Sequence, residues 1–212
     1  MLQDEVFPLA STDRLFNQYG GRDEVLDLPD APQIRRDNLK AYLSAYNVLP
    51  GILLIAEAPG PWGCRFSGVP ITSESQLLDS GFPVHGARSS ATGDPNSEYC
   101  ANIHWRVLMP FFPHFLTWNA VPFHPHREDP LSIRTPTRRE IDAFSDVVKC
   151  FVDVIRPTHV VAVGRKAERS LELIGVDHTY VRHPSQGGAK LFEEGVKSVL
   201  TEAGVPAGNQ HE

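Results

Sequence analysis

Ile52-Leu53-Leu54-Ile55-Ala56-Glu57-Ala58-Pro59-Gly60-Pro61-Trp62-Gly63 is the stretch that decides the fold. Its first four residues are apolar without alternation, the pattern of a strand buried on both faces in a parallel sheet. Pro50-Gly51 breaks the chain just ahead of them. The remainder of the stretch is rich in Gly and Pro and sits where open α/β sheets gather their ligand sites. The arrangement recurs twice. Phe115-Leu116-Thr117-Trp118 runs into Asn119-Ala120-Val121-Pro122, and Thr179-Tyr180-Val181 delivers Arg182-His183-Pro184-Ser185-Gln186-Gly187-Gly188. Thr158-His159-Val160-Val161-Ala162-Val163-Gly164 is the clearest strand of all.

Between these strands the pattern turns helical. Asp30-Ala31-Pro32 supplies a capping residue and an early Pro ahead of Ile34, Leu39, Tyr42, Leu43 and Tyr46 at near-helical spacing. A second helix is expected over 99–109. Thr137-Arg138-Arg139-Glu140 is a capping box opening a third, with Ile141, Phe144, Val148, Phe151 and Ile155 on one face and Pro157 at its end. Two more are expected over 165–174, stopped by Gly175, and over 189–200. Residues 83–97 and 124–135 read as loops, 1–30 as a polar extension and 203–212 as a frayed tail. Strands alternating with helices predict a single three-layer α/β/α domain around a central, mainly parallel four-stranded sheet.

A chain of 212 residues suits one such domain. No apolar run approaches membrane-spanning length, and Met1-Leu2-Gln3-Asp4-Glu5 lacks the basic-then-apolar order of a signal sequence. These features lead to the expectation of a soluble, cytoplasmic protein of bacterial type. Cys64, Cys100 and Cys150 are odd in number and far apart, which argues against a disulfide framework, a zinc site or a four-cysteine iron–sulfur cluster. The net charge of −6 counts against a nucleic acid held by bulk charge, but local patches decide binding. Basic residues gather at Arg134, Arg138 and Arg139, at Arg165, Lys166 and Arg169, and at Arg182 with Lys190; each cluster taken alone reads as a solvated face.

Taken in order, the three strand-end segments resemble the uracil-DNA glycosylase superfamily, over residues 51–200. Ala56-Glu57-Ala58-Pro59-Gly60 is similar to the first motif of its iron–sulfur-containing bacterial branch. Gly60-Pro61-Trp62-Gly63 through Ser67-Gly68-Val69-Pro70 looks more like the single-strand-selective branch. Leu116-Thr117-Trp118-Asn119-Ala120-Val121 resembles the segment carrying the base-reading asparagine, and His183-Pro184-Ser185 the second catalytic motif. The resemblance implies a base-excision-repair enzyme, a monofunctional hydrolase that flips uracil out of DNA, single- or double-stranded, and leaves an abasic site. It implies no metal or organic cofactor, no membrane partner and a monomer.

The residues suit that chemistry. A glycosylase reads its flipped base in a closed pocket. An amide can pair with the N3–H and O4 of uracil at once, and cytosine presents the opposite pattern, leaving buried groups unpaired at about 1–3 kcal/mol each. Asn119 is the candidate reader. Cleaving the N1–C1′ bond puts negative charge on the departing base, so a donor aimed at O2 is needed. By resemblance His183 supplies it, and a neutral imidazole suffices. His124 and His126 read as loop histidines bonded to backbone. The Gly60 cradle brings backbone close to the base. Ser185, Gln186, Gly187 and Gly188 are candidates for phosphate contact near the start of the last helix, and the loop 186–191 for the wedge that fills the gap.

Three positions depart from the family pattern. Many relatives carry Asp or Asn where Ala58 stands, so Glu57 becomes the candidate for positioning water or stabilising the sugar cation. Ile71 matches the usual stacking aromatic, leaving Phe66 or Trp62 to supply a ring. Gly60 stands where some relatives use Tyr to exclude the thymine methyl, which opens the pocket to 5-substituted uracils. Two other readings stay open. Ala58 suggests a non-catalytic binder of uracil-containing or abasic DNA. The acidic charge suits a nucleoside N-glycosidase, which would give Ser185 and the wedge loop no purpose.

Overall fold

A computed structural model describes residues 1–91 and 93–206. After a single π-helical turn at Leu2–Val6 come β1 (Leu15–Phe16), α1 (Ala31–Ser44), β2 (Ile52–Ala56), α2 (Cys64–Ser67), α3 (Glu74–Leu77) and α4 (Tyr99–Leu108). Beyond them lie β3 (Phe115–Asn119), β4 (His124–Pro125), α5 (Arg138–Ala143), α6 (Ser145–Ile155), β5 (His159–Val163), α7 (Arg165–Leu173), β6 (Thr179–Val181) and α8 (Ala189–Glu202). The backbone gathers into two compact units. A loop-rich unit holds Met1–Ala45, Ala58–Ala101 and Val121–Pro136; a sheet unit holds Tyr46–Glu57, Asn102–Ala120 and the chain from Thr137 onward.

The sheet unit carries the expected α/β architecture. Its four strands run in the order β3-β2-β5-β6, every pair parallel. β2 is central and buried at every residue, as its unbroken apolar run requires. Alternate residues face opposite sides. Ile52, Leu54 and Val161 lie against Leu108 of α4 and Val196, Val199 and Leu200 of α8. On the other side the Trp118 ring stacks on Phe151 of α6 with centroids 4.2 Å apart, and α7 packs against α6. These are the layers of an α/β/α sandwich. The chain leaves β2 towards β3 on one side and leaves β5 towards β6 on the other. The reversal point, where such sheets bind ligands, therefore lies at the carboxyl ends of β2 and β5.

The helix expected from the capping box forms, and the box is closed. The Glu140 N–H donates to Thr137 Oγ1 at 3.3 Å and the Thr137 N–H to Glu140 Oε2 at 2.6 Å. It does not run on to Pro157 unbroken. Phe144 leaves helical geometry (φ −110°, ψ 11°), dividing the segment into α5 and α6. Ser145 Oγ turns back onto the Asp142 carbonyl at 2.9 Å, the local competition by which Ser interrupts helices.

Ion pairs and hydrogen bonds order the loop-rich unit. The Asp27 carboxylate sits between the buried guanidinium groups of Arg35 and Arg65. Glu74 accepts from the N–H groups of Ser89 and Ser90 at 2.7 and 2.9 Å, from Ser90 Oγ at 2.6 Å and from Asn96 Nδ2 at 3.1 Å. Burial opposes its charge, but these donors hold its carboxyl below the usual range. Through Glu74 the loop 83–97 gains buried anchors at Ser89, Ser90 and Asn96. The stretch read as a polar extension supplies buried Asn17, Gln18 and Tyr19, and β1 pairs with β4 inside the segment read as loop. The expected tail falls beyond α8, with residues 207–212 outside the described part of the chain.

Candidate active site

In the sheet unit three expected site residues stand at or just beyond the carboxyl ends of the parallel strands β3, β2 and β6. Asn119 closes β3 in register with Ala56, the last residue of β2, and Glu57 follows immediately. Ala120 N–H donates to the Ala56 carbonyl at 2.8 Å, locking the two ends together. Asn119 is buried and, by alternation, shares its face with Thr117. His183 lies two residues beyond β6 and is held against the end of β5. Gly164 there has φ +89°, and a Cβ on it would stand 3.1 Å from His183 Cβ.

The protonation of His183 follows from its partners. The Ser185 N–H points at Nδ1 from 3.2 Å and the Ser185 hydroxyl lies 2.8 Å from the same atom. An N–H can only donate, so Nδ1 accepts and the one proton of the neutral ring sits on Nε2. Burial, with help from the Arg182 charge, lowers the His183 pKa to about 4. Near neutral pH the ring is therefore a neutral Nε2–H donor. Gly188 lets the turn close on it, since a Cβ there would overlap the His183 carbonyl oxygen. Gln186 and Gly187 both have positive φ, 51° and 75°. Glu57 is half-buried, and burial raises its pKa against the attraction of Lys166.

The loop-rich unit holds the other expected positions. Ala58 and Gly60 are half-buried. His124 Nδ1 lies 2.8 Å from the Pro59 carbonyl and its Nε2 3.0 Å from that of Pro130, while His126 bonds the Arg127 carbonyl. Both are backbone-bonded histidines, and His124 pins the cradle. Phe66 has no exposed surface and one face is covered by the Arg65 guanidinium at 4.2 Å, so its ring is closed to a ligand; Trp62 is 41% exposed. Ile71 has φ +42°, an uncommon and strained state for a β-branched residue, and such strain gathers at ligand sites.

Two groups escaped the sequence reading. His104, on α4, is fully buried in the sheet unit with Nε2 3.3 Å from Thr117 Oγ1. Burial first, then His183, drive its pKa down to about 3, so it is neutral and electrostatically coupled to the candidate anion stabiliser. Its place on the same apolar helix face as Trp105 and Leu108 gave no signal. The other is Glu98, just ahead of α4 in the loop-rich unit, set against Gly60 and Gly63. It lies between the stretch read as loop, 83–97, and the helix expected over 99–109, and nothing in its sequence neighbours marks it. Four members of the basic clusters have local partners: Arg165 pairs with Glu168, Arg138 with Asp142, Lys190 with Glu194, and Arg134 bonds backbone carbonyls. Among the described residues no helix is long and apolar enough to cross a membrane, and no three His, Cys, Asp or Glu gather as a metal site needs.

An amide, a carboxyl and a neutral imidazole thus stand beyond the strand ends of a parallel open sheet, the side on which such sheets gather ligand sites. A sequence model of the uracil DNA glycosylase superfamily matches residues 43–200, and the chain belongs to that family of DNA glycosylases. No protein of curated function matches it. The crystal structure of wild-type SMUG2 from Pedobacter heparinus is similar in fold, with a TM-score of 0.65 at 13% sequence identity over 96% of this chain and 95% of that one.

Proposed function

We propose that the chain is a monofunctional uracil-DNA glycosylase, hydrolysing the N-glycosidic bond of uracil in DNA to leave an abasic site. The observation that carries the reading is the His183–Ser185 pair, which commits Nδ1 as acceptor and leaves Nε2–H to donate. In the reaction the N1–C1′ bond breaks, its electron pair moves onto the base, and the Nε2–H hydrogen-bonds O2 as that oxygen becomes anionic. Asn119 holds N3–H and O4. Water, oriented by the Glu57 carboxylate, adds to C1′, and the proton it loses is taken up by the departed uracil anion. The family resemblance assigns the cradle backbone, Trp62 and Ile71 to the base and the 185–188 turn to phosphate.

The test uses single- and double-stranded oligonucleotides containing one uracil, followed by alkaline cleavage of abasic sites. Cleavage is expected, and Asn119→Ala and His183→Ala should each slow it about 10²–10³-fold, the usual cost of one lost transition-state donor. Intact strands throughout would overturn the glycosylase reading, and tight binding without cleavage would favour a non-catalytic reader. Release of uracil from free deoxyuridine but not from DNA would favour a nucleosidase.

A further inference from the structure

His104 is fully buried among groups that ask for no polar partner. Trp105 of its own helix, Phe115 of β3 and Phe192 of α8 ring it at centroid distances of 5.6, 6.0 and 6.0 Å. A leucine would fill such a pocket without burying a polar atom. Nε2 of the imidazole lies 3.3 Å from Thr117 Oγ1, and among the described residues Nδ1 has no hydrogen-bond partner. Burial, then the His183 charge, lower the His104 pKa to about 3, so near neutrality the ring carries a single proton. Placing it on Nδ1 would bury an N–H without an acceptor, the rarer defect in folded proteins. The proton therefore sits on Nε2, which donates to Thr117 Oγ1. The Thr117 hydroxyl proton is then left for a second group.

Thr117 and Asn119 are both buried and share one face of β3, two residues and thus about 6.6 Å apart along the strand. We propose that His104 is a positioning residue for Asn119: it holds the Thr117 hydroxyl so that this donates to Asn119 Oδ1 and fixes which end of the amide faces along the strand. Oδ1 keeps its second lone pair for N3–H of the base, and Nδ2 is turned towards O4. The opposite His104 tautomer would draw the Thr117 proton to itself. A bare hydroxyl oxygen would then face Asn119 and turn Nδ2 inward. This rests on the assignment of Asn119 as the reader of the base.

Spectroscopy and excision are measured separately, so that the two proposals fail separately. Long-range nitrogen–proton NMR correlation of the free protein is expected to show His104 protonated at Nε2 alone. The Asn119 side-chain amide resonances, assigned by their loss in Asn119→Ala, should shift in Thr117→Val and in His104→Leu. Single-turnover excision of uracil from an oligonucleotide should slow by about 10–10²-fold in each, the scale of a misplaced contact to the reacting group. The double variant should be no slower than either single one, because both changes break the same relay. Thr117→Ser and His104→Gln, which keep a hydroxyl and a donor, should retain most of the rate. Unmoved Asn119 resonances, additive losses in the double variant or a proton on His104 Nδ1 would each overturn the proposal and make His104 a packing residue. If wild type excises no uracil while the tautomer and the resonance shifts are as expected, the glycosylase reading fails and the positioning of Asn119 stands. Melting curves identify folded variants, and the near-isosteric Thr117→Val carries the test if His104→Leu does not fold.

Discussion

At His183 two donors on one neighbour decide where the single imidazole proton resides. Ser185 presents both its N–H and its hydroxyl to Nδ1, and burial keeps a second proton off until about pH 4. A glycosylase using this ring as a neutral donor should keep its rate from pH 8 down to about 5 without an acid limb near 6.5, where a free histidine titrates. Its own limb should appear close to 4. Glu98, with its pKa raised to about 7 by burial, takes no part in that chemistry, so Glu98→Gln should show the same plateau and the same limb near 4; a pH–rate profile of both proteins checks this. The place of Asn119 at a strand end was legible because it closes a continuous buried run, whereas His183 was singled out by resemblance, the short Thr179-Tyr180-Val181 strand before it being exposed at its start. Glu98 was not, because what makes it unusual is a pair of glycines distant in sequence, and only folding brings a carboxyl group to them.

Among the elements, those with strong periodicity or a closed local motif were readable. Three of the four strands of the sheet, β2, β3 and β5, needed only their apolar runs, and the Thr137–Glu140 box marks the start of α5 to the residue. The box is solvent-exposed, so Thr137→Ala loses the capping bond without making a cavity; a loss of about 1 kcal/mol is expected in denaturant titration, with the fold unchanged. The break at Phe144 was hidden because apolar spacing continues across it while the backbone does not. β1 and β4 have two residues each, too short for any alternation to declare itself. The tie between Glu74 and the 83–97 loop was equally silent, since Ser and Asn in a Gly-rich stretch look like solvent-facing polarity until a buried carboxylate collects their donors.

For the whole molecule, stability should depend on pH through three buried histidines. His104, His124 and His183 hold folded pKa values of about 3, 4 and 4, below the ordinary 6.5. Between pH 6.5 and about 4 the unfolded chain therefore binds more protons than the folded one, and stability falls as pH falls. Glu98, at about 7 in the folded state against an ordinary 4.5, works in the opposite sense over pH 7 to 4.5. Three groups outweigh one, so the melting temperature should drop from pH 7 to pH 4.5. In Glu98→Gln, which removes the opposing group, the drop should be steeper, and calorimetry over that range measures both.

Gly60 and Gly63 also leave the width of the cradle in the hands of a residue distant in sequence. Glu98 fills the space beside both glycines, so a Cβ at either position must push its carboxyl group aside. That group is the free end of a flexible side chain and can rotate away, so the first change at position 60 is absorbed by Glu98 and not by the cradle backbone.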